Sequence, residues 1–159
     1  MMAFKFYKAP LVSLNLPVEP FGKQRARVTK VGGFARAYTP KKTLDAENLI
    51  QAYVREQLKG FEPYKGAIHM KLDAYIVPPK SWSKRRTEEA MVGMVHPTSK
   101  PDTSNILKLV EDALNGIVYV DDSQIVSVEA AKHYAEKPAI ELRFYKFYAY
   151  DETVGNDHE

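Results

Sequence analysis

Four aspartates lie close to one lysine within a short stretch of a chain that is otherwise basic. The stretch spans residues 101–122 and contains Asp102, Lys108, Asp112, Asp121 and Asp122. Carboxylates held close together repel one another unless a cation neutralises them, and Mg²⁺ takes oxygen ligands, commonly one or two carboxylates with water and substrate phosphate. The stretch therefore predicts a divalent-metal site, and an enzyme that processes phosphate groups is the first hypothesis.

One helix is predicted to carry most of these side chains. Asp102 or Thr103 can cap its start, and Asn115-Gly116 is a typical end signal. The residues between them supply an apolar face made of Ile106, Leu107, Leu109, Val110, Ala113 and Leu114. An amphipathic helix over residues 102–115 follows from this pattern.

The polar side of the same helix brings several candidate site residues together. Lys108 follows Asn105 by three positions and Ser104 by four, so these three side chains can share a face, and Asp112 continues that face one turn further on. We expect Ser104, Asn105 and Asp112 to support a metal site by contacting the metal ligands rather than the metal itself.

Asp121 and Asp122 follow a short connection after the helix, and this connection is expected to bring the start of the next strand back toward the helix. Successive residues of a strand face opposite sides, so only one of the two carboxylates can point into a given site. The other is expected to cap a turn or to contact a metal ligand rather than the metal itself.

The composition is that of one globular domain, with 159 residues, 45% hydrophobic and 27% charged. No apolar run approaches the roughly 20 residues of a membrane span, and the first residues lack the apolar stretch of a signal peptide. We therefore expect a cytoplasmic protein without a membrane partner. The absence of cysteine excludes disulfides, thiolate zinc sites and cysteine nucleophiles.

The charge is distributed unevenly along the chain. The formal net charge is +3, but residues 151–159 hold four acids and no Lys or Arg, which leaves residues 1–150 at +7. A basic domain with an acidic cluster suits a polyanionic substrate that is bound by Lys and Arg and cut at a metal site. The predicted organisation is a domain over residues 1–150 and a flexible acidic tail over residues 151–159.

Strands and helices are predicted to alternate irregularly, which favours an α+β domain with a mixed sheet packed against helices. Strands are expected within residues 3–16, broken at Pro10, and at 34–38, 66–77, 124–134 and 139–148, the last two forming a hairpin. Helices are expected from Thr39-Pro40 to before Gly60, with Leu44 on the apolar stripe, and within 81–93.

Residues 22–27 read as a basic arm. Lys23, Arg25 and Arg27 can contact phosphates from an extended segment, and a solvated loop explains them equally well. The four histidines show no metal-ligand spacing, and His69 is expected on a solvent-facing side of its strand.

The motif resembles that of the RusA-type crossover-junction endodeoxyribonucleases, which resolve Holliday junctions. The family pattern is Pro-Asp-x-Asp-Asn-x-x-Lys, an Asp four residues on, a short turn, an Asp-Asp pair before a strand, and a Lys about ten residues later. The matching residues here are Pro101, Asp102, Asn105, Lys108, Asp112, Asp121, Asp122 and Lys132. Ser104 stands where the family pattern has its second Asp. The stretches 22–27 and 38–40 extend a looser resemblance toward the N-terminus.

The resemblance implies a homodimer that binds four-way DNA junctions and cuts symmetric strands by Mg²⁺-dependent phosphodiester hydrolysis, with Mn²⁺ as an alternative ion. It implies that Asp102 and Asp122 are catalytic metal ligands, that Lys108 is the catalytic lysine, and that Lys132 joins the arm in binding DNA. Asp121 is a further candidate metal ligand. The resemblance also implies a bacterial setting of phage or prophage origin.

Two other interpretations remain open. A catalytically impaired junction-binding protein of the same fold would explain Ser104, because a neutral hydroxyl is a poorer metal ligand than a carboxylate. A protein-interaction domain would reduce Asp102 to a helix cap, the Asp121-Asp122 pair to a turn, and Lys108 with Asp112 to a surface ion pair.

Overall fold

A computed structural model describes the backbone of residues 4–151 and the side chains of residues 8–148. Over this range the chain forms β1 (Phe4–Leu16), β2 (Arg27–Val31), β3 (Phe34–Tyr38), α1 (Lys41–Gln57), β4 (Ile68–Ile76), α2 (Lys84–Met91), α3 (Thr103–Leu114), β5 (Ile125–Tyr134) and β6 (Ala139–Asp151). A single 3₁₀ turn, Asp122–Gln124, joins α3 to β5. The predicted α+β class with one mixed sheet is confirmed. The predicted tail begins at the last residue of β6, and its residues 152–159 lie outside the described part of the chain.

Four strands form the main sheet in the order β1-β6-β4-β5, and β2 and β3 form a separate hairpin. β6 runs antiparallel to β1 and β4, whereas β5 runs parallel to β4. The predicted hairpin of β5 and β6 is wrong, because β4 lies between them. β4 is buried along one side and has a neighbouring strand at each edge. The chain leaving β5 crosses the end of β4, where Ala135 N donates to Ile76 O over 3.0 Å.

The predicted break at Pro10 is also wrong, since β1 continues through it as one strand. The register shifts between Pro10 and Val12, which places an irregularity where proline cannot donate a backbone hydrogen bond. β1 lies at the edge of the sheet, where such a residue is tolerated. The alternating burial of residues 11–16 then continues into the core.

The core lies between one face of the sheet and the helices α1 and α3. β4 contributes Ile68, Met70, Leu72 and Ala74, all at most 1% exposed. α3 supplies the face predicted for it, with Ile106, Leu109, Val110, Ala113 and Leu114 all 0% exposed and Leu107 partly buried against them. The sheet and α3 are therefore fixed to each other by close packing, which is what a site on the polar side of α3 requires.

Helix α1 differs from the prediction at its start. Its N-cap is Pro40 and its first residue is Lys41, one position after the expected Thr39-Pro40 start. Ile50 and Val54 are buried, but Leu44, predicted on the apolar stripe, is 44% exposed, because Thr43 and not Leu44 is the buried residue of the first turn. Within the described residues, no helix is long and apolar enough to cross a membrane.

His69 contradicts its predicted exposure, since it is only 2% exposed although it lies on the sheet face opposite the helices. Its ring nitrogens lie 2.8 Å from Ser127 Oγ and 3.2 Å from Lys8 Nζ, and its ring lies against Tyr145 with 5.7 Å between centroids. Neighbouring strands and their large side chains therefore cover this face locally. Burial, followed by the nearby Lys8 ammonium, lowers the pKa of His69.

Candidate active site

Asp102 occupies the N-cap position of α3, but its carboxylate does not cap the helix through its side chain. The N–H groups of Asn105 and Ile106 donate to the Asp102 carbonyl oxygen, each at 3.1 Å. The carboxylate is exposed and accepts a hydrogen bond from the Asn105 side-chain amide at 3.4 Å. If Asp102 were simply a helix cap, its side chain would accept a hydrogen bond from the first turn of α3, and it accepts no such backbone bond. The carboxylate is therefore open to a ligand.

The loop before Asp102 is held from two sides. Lys132 Nζ donates to the carbonyl oxygens of Ser99 at 2.9 Å and Pro101 at 3.1 Å. On the other side, a Cβ at Gly22 would lie 3.1 Å from Pro101 Cβ and 3.2 Å from Asn105 Cβ, so the chain at Gly22 approaches α3 closely. These contacts fix the position of Asp102. Contact of Lys132 with a phosphate remains a prediction.

Lys108 joins α3 to the 3₁₀ turn. Its ammonium lies 3.2 Å from Asp112 Oδ1 and 3.4 Å from Asp122 Oδ2, with 54% of the Lys108 side chain exposed. Hydrogen bonding to Asp112 is the main reason that the pKa of Lys108 is raised, and Asp122 adds to it. Lys108 is therefore a cation at neutral pH, with an exposed charge beside two carboxylates.

Lys23 extends this arrangement toward α1. Its ammonium hydrogen-bonds Asp112 and lies 3.6 Å from Glu47 Oε1. Its bond to Asp112 is likewise the main reason that the pKa of Lys23 is raised. Opposite charges thus alternate through contact along Glu47, Lys23, Asp112, Lys108 and Asp122, which we call the charge chain. The predicted sharing of one helix face by Lys108 and Asp112 is confirmed, and sequence reasoning missed Glu47.

Asp121 and Asp122 point to different partners, as predicted, but they lie at the start of the 3₁₀ turn and not on a strand, since β5 begins only at Ile125. The Asp121 side chain accepts a hydrogen bond from Ser123 N at 3.1 Å. Hydrogen bonding from the Ser123 side chain, followed by this backbone bond, lowers the pKa of Asp121. Asp122 points to Lys108 instead. Asp121 thus caps the turn while Asp122 faces the charge chain, and metal binding by Asp121 remains a prediction.

Gln124 fixes the turn that carries both acids, and sequence reasoning missed it. Its Oε1 accepts from Val120 N at 2.9 Å and Asp121 N at 3.0 Å, while its Nε2 donates to Tyr64 O at 2.7 Å and Gly66 O at 3.0 Å. With the Asp121 side chain this completes a capping box. The spacing Asp-x-x-Gln was the available signal for it.

Beneath this turn, Tyr119 donates from its hydroxyl to Glu111 O over 2.6 Å and is 0% exposed. Burial, with Glu111 as the next cause, raises the pKa of Tyr119. Burial also raises the pKa of Glu111, and the neighbouring acids Asp122 and Asp112 act in the same direction. The end of α3 is therefore an acidic environment in which Lys108 supplies a compensating charge.

The donor atoms suit a hard cation but form an open site. Within the described residues, no group of three or more carboxylate or histidine side chains could hold a metal ion. The exposed oxygens of Asp102, Ser104 and Asn105 lie in the first turn of α3, and Lys108 follows Asp102 by about 9 Å of helix rise. Mg²⁺ commonly uses one or two carboxylates and completes its shell with water and substrate phosphate. The oxygen chemistry of Asp102 and its neighbours therefore fits a Mg²⁺ ion that completes its shell with water and substrate phosphate.

The two arginines of the predicted arm are exposed. Arg25 and Arg27 lie on the solvent side, whereas Lys23 is partly buried and engaged in the charge chain. The backbone of the arm is fixed at two points, with Lys23 N donating to Asn105 O at 3.0 Å and Gln24 N donating to Thr43 Oγ1 at 3.2 Å. The arm is therefore anchored beside the first turn of α3, and its arginines extend beyond the anchor.

Comparisons with known proteins identify the family of this chain. The family model described as "Endodeoxyribonuclease RusA" matches residues 17–145, a range that contains the arm, the charge chain and Lys132. The "Uncharacterized protein YqaN" of Bacillus subtilis (strain 168) is 35% identical over 126 residues, which cover 78% of this chain and 88% of that protein. The chain belongs to the RusA endodeoxyribonuclease family.

Proposed function

We propose that the protein is a Mg²⁺-dependent endonuclease that resolves four-way DNA junctions as a homodimer. The observation that carries the proposal is the convergence of Asp112 and Asp122 on the exposed ammonium of Lys108, in a chain of this family. Acids from a helix and from the following turn meet one cation there. A phosphodiester bound beside Lys108 would contact both this lysine and the two acids.

Each residue of the site has a distinct role in the proposed reaction. Asp102 and Asp122 would hold Mg²⁺, which when bound supplies Lewis-acid stabilisation and an activated water molecule. Lys108 remains protonated because its pKa is raised, so it stabilises negative charge on the phosphoryl oxygens or on the leaving group rather than accepting a proton. Asp112 orients Lys108 by accepting its hydrogen bond.

The lysine also has a role before substrate arrives. With Lys108 3.4 Å from Asp122, the ammonium compensates a carboxylate that a cation would otherwise neutralise. Asp112 is the second partner of Lys108 and keeps the ammonium near the site when Asp122 is engaged elsewhere. Lys108 would therefore turn toward a phosphate while Asp112 still holds its ammonium close to α3.

A homodimer suits the proposed substrate. A four-way junction with two-fold symmetry presents two equivalent strands, and a two-fold protein can present two sites to them in one complex. Arg25 and Arg27, exposed next to the anchored arm, would contact phosphates close to each site.

A second candidate is a protein of the same fold that binds junctions without cutting them. Ser104 favours it, because this neutral hydroxyl occupies a position where the family pattern has a carboxylate, and the described acids do not form a group of three. An interaction domain with no DNA substrate is the remaining alternative, and it predicts binding without the steep salt dependence of phosphate neutralisation.

One assay distinguishes these functions. A synthetic four-way junction is incubated with the protein in Mg²⁺ or in EDTA, and the products and complexes are resolved on denaturing and native gels. The proposal predicts nicks that require Mg²⁺. Junction complexes without nicks in either condition would favour the second candidate, and no complex at low salt would contradict both.

A further inference from the structure

The hairpin formed by β2 and β3 projects from the domain without a core of its own. All ten of its strand residues are exposed, including Phe34 at 78%, Val31 at 57% and Tyr38 at 47%. An isolated two-stranded hairpin is marginally stable in water, and exposed large apolar side chains grouped together commonly mark an interaction site. This hairpin is therefore expected to gain stability from a partner.

The two sides of the hairpin differ in chemistry. The register pairs Arg27 with Tyr38, Thr29 with Arg36 and Val31 with Phe34, and directly paired side chains lie on the same side. That side, which we call the arginine-aromatic face, therefore carries two guanidinium groups and two aromatic rings. The other side consists of Val28, Lys30, Ala35 and Ala37.

Phe34 lies at the tip of the arginine-aromatic face. Gly32 and Gly33 make the turn with φ of 59° and 82°, a conformation that glycine adopts without strain. Phe34 follows directly and has the largest exposed fraction among the exposed large hydrophobic side chains of the described residues. An aromatic ring at the tip of a projecting hairpin can reach a base that is not stacked on both sides.

The charge of the segment indicates what kind of partner it meets. Residues 20–44 contain seven of the 23 Lys and Arg residues and none of the 20 Asp and Glu residues, so the rest of the chain has a formal charge of −4. The positive charge of the protein is thus concentrated in the hairpin and its flanks. Two copies meeting through these hairpins would bring like charges together, whereas a polyanion would neutralise them.

The base of the hairpin lies next to the candidate active site. Lys23 N bonds to Asn105 O, Lys23 Nζ bonds to Asp112, and β2 begins at Arg27. A strand rises about 3.3 Å per residue, so the five residues of β2 extend the hairpin roughly 15 Å beyond its base. A DNA arm cut near Asp122 can be reached by this hairpin.

We propose that the arginine-aromatic face of the β2–β3 hairpin binds the DNA at the branch point, with Arg27 and Arg36 on phosphates and Phe34 stacked on a base exposed there. The inference rests on the proposed function and extends it, since it assigns to this hairpin the ability to distinguish a branched substrate from a linear duplex. Stacking on an aromatic ring tolerates any base, so the contact recognises structure rather than sequence.

The first test measures binding in the Asp122→Asn background in EDTA, so that cleavage cannot interfere. Phe34→Ala is expected to weaken binding to a four-way junction about tenfold, which is the order of loss for one base–aromatic stack, and to leave linear-duplex binding unchanged. The matched control is Val28→Ala, which removes an exposed apolar side chain, 68% exposed, from the opposite side and is expected to change neither.

A fluorescent adenine analogue placed at the branch point gives a second readout. The proposal predicts that its emission changes on binding of the Phe34-containing protein and that Phe34→Ala removes most of this change even at saturating protein. A saturated Phe34→Ala complex with the full emission change would overturn the stacking contact.

The arginines are tested by salt dependence. Arg27→Gln with Arg36→Gln is expected to lower the slope of log affinity against log salt by roughly two, since each phosphate contact contributes about 0.9. The control is Arg55→Gln, an exposed arginine on α1 outside the segment, which is expected to leave the slope unchanged.

The outcomes separate this inference from the proposed function. Junction binding and cutting by the wild type, with no effect of the hairpin variants, would overturn the hairpin contact alone. Absence of junction binding by the wild type would overturn the proposed function. If Phe34→Ala instead converted a dimer to monomers in sedimentation without lowering the junction affinity per dimer, the hairpin would be an interface between copies, and the inference would be wrong.

Discussion

Lys23 and Asp112, which lie 89 positions apart in the chain, form an ion pair that ties the basic arm to helix α3. The other oxygen of the Asp112 carboxylate lies 3.2 Å from the Lys108 ammonium, which in turn contacts Asp122. The arm that leads to the exposed hairpin and the residues proposed for catalysis are therefore connected by direct charge contacts. The position of the arm relative to the residues proposed for cutting is therefore expected to depend on this ion pair.

A double-mutant cycle tests the ion pair. Lys23→Met and Asp112→Asn, measured alone and together, are expected to give a coupling free energy of about 1 kcal/mol, because both side chains are mostly buried. Urea denaturation of the four proteins provides the values. The pair Lys84 and Glu88, 3.9 Å apart with side chains 90% and 66% exposed, is the control and is expected to show almost no coupling. Equal coupling for the two pairs would contradict the account.

Removing either proposed metal ligand should abolish cutting without abolishing binding. Asp102→Asn and Asp122→Asn keep the size of the side chain but remove its charge, and the single-turnover cleavage rate on a junction is expected to fall at least about a hundredfold. Asp45→Asn, at an exposed acid on α1, serves as the control and is expected to cleave normally. Retained cleavage in either site variant would remove that residue from the proposed ligand set.

Restoring a carboxylate at position 104 tests the significance of Ser104. Ser104→Asp places an acid in the first turn of α3, where negative charge is favourable at a helix N-terminus, close to Asp102 and Asn105. The rate of Mg²⁺-dependent cleavage is expected to stay the same or rise, and the Mg²⁺ concentration required for half-maximal rate is expected to fall. A lower rate with unchanged stability would show that the hydroxyl has a role of its own.

Gln124 should matter for both stability and activity. Gln124→Ala removes four hydrogen bonds that hold the turn, and the free energy of unfolding is expected to fall by about 2 kcal/mol or more. Displacement of the turn moves Asp122, so cleavage should fall as well at temperatures where the protein is folded. Gln57→Ala, which removes one exposed hydrogen bond to Asn15 O, is expected to cost no more than about 1 kcal/mol. Equal effects of the two variants would contradict the proposed role of Gln124.

The buried His69 predicts a pH dependence of stability. Its pKa is lowered in the folded state, so the unfolded state binds the proton more readily, and stability should decrease as the pH falls through the ordinary histidine range near 6.5. The groups that face it are Lys8, Lys71, Glu129, Ser127 and Tyr145. His69→Gln is expected to reduce the loss of stability between pH 7 and 5 relative to wild type, and His96→Gln, at an exposed histidine, is expected to follow the wild type.

The sequence predicted the local elements better than it predicted their neighbours in space. The amphipathic pattern of α3 was sufficient because a helix bonds within itself, whereas the partners of β5 depend on which strand fills the centre of the sheet. β4 takes that position because its whole inner side is buried, so β5 and β6 cannot pair. His69 was misjudged for a related reason, since its cover comes from Lys8, Ser127 and Tyr145 on three other strands.

Within the site, spacing identified the residues on α3 but not those that reach it from elsewhere. Lys108 and Asp112 are one helical turn apart, so their contact follows from helix geometry. Glu47 joins the charge chain through tertiary packing of α1, for which the sequence carries no local signal. The hairpin was predicted only in its second strand. Neither strand has a buried side chain, so no alternation of burial indicates that the two strands pair.

The most direct measurement of the central claim is single-turnover cleavage of a four-way junction and of a linear duplex of the same sequence, in Mg²⁺ and in EDTA, with Asp122→Asn alongside. Paired nicks in symmetric strands of the junction are expected, requiring both Mg²⁺ and Asp122, with the duplex left intact. Tight binding of the junction with no nicks in Mg²⁺, or equal cutting by the Asp122→Asn variant, would contradict it.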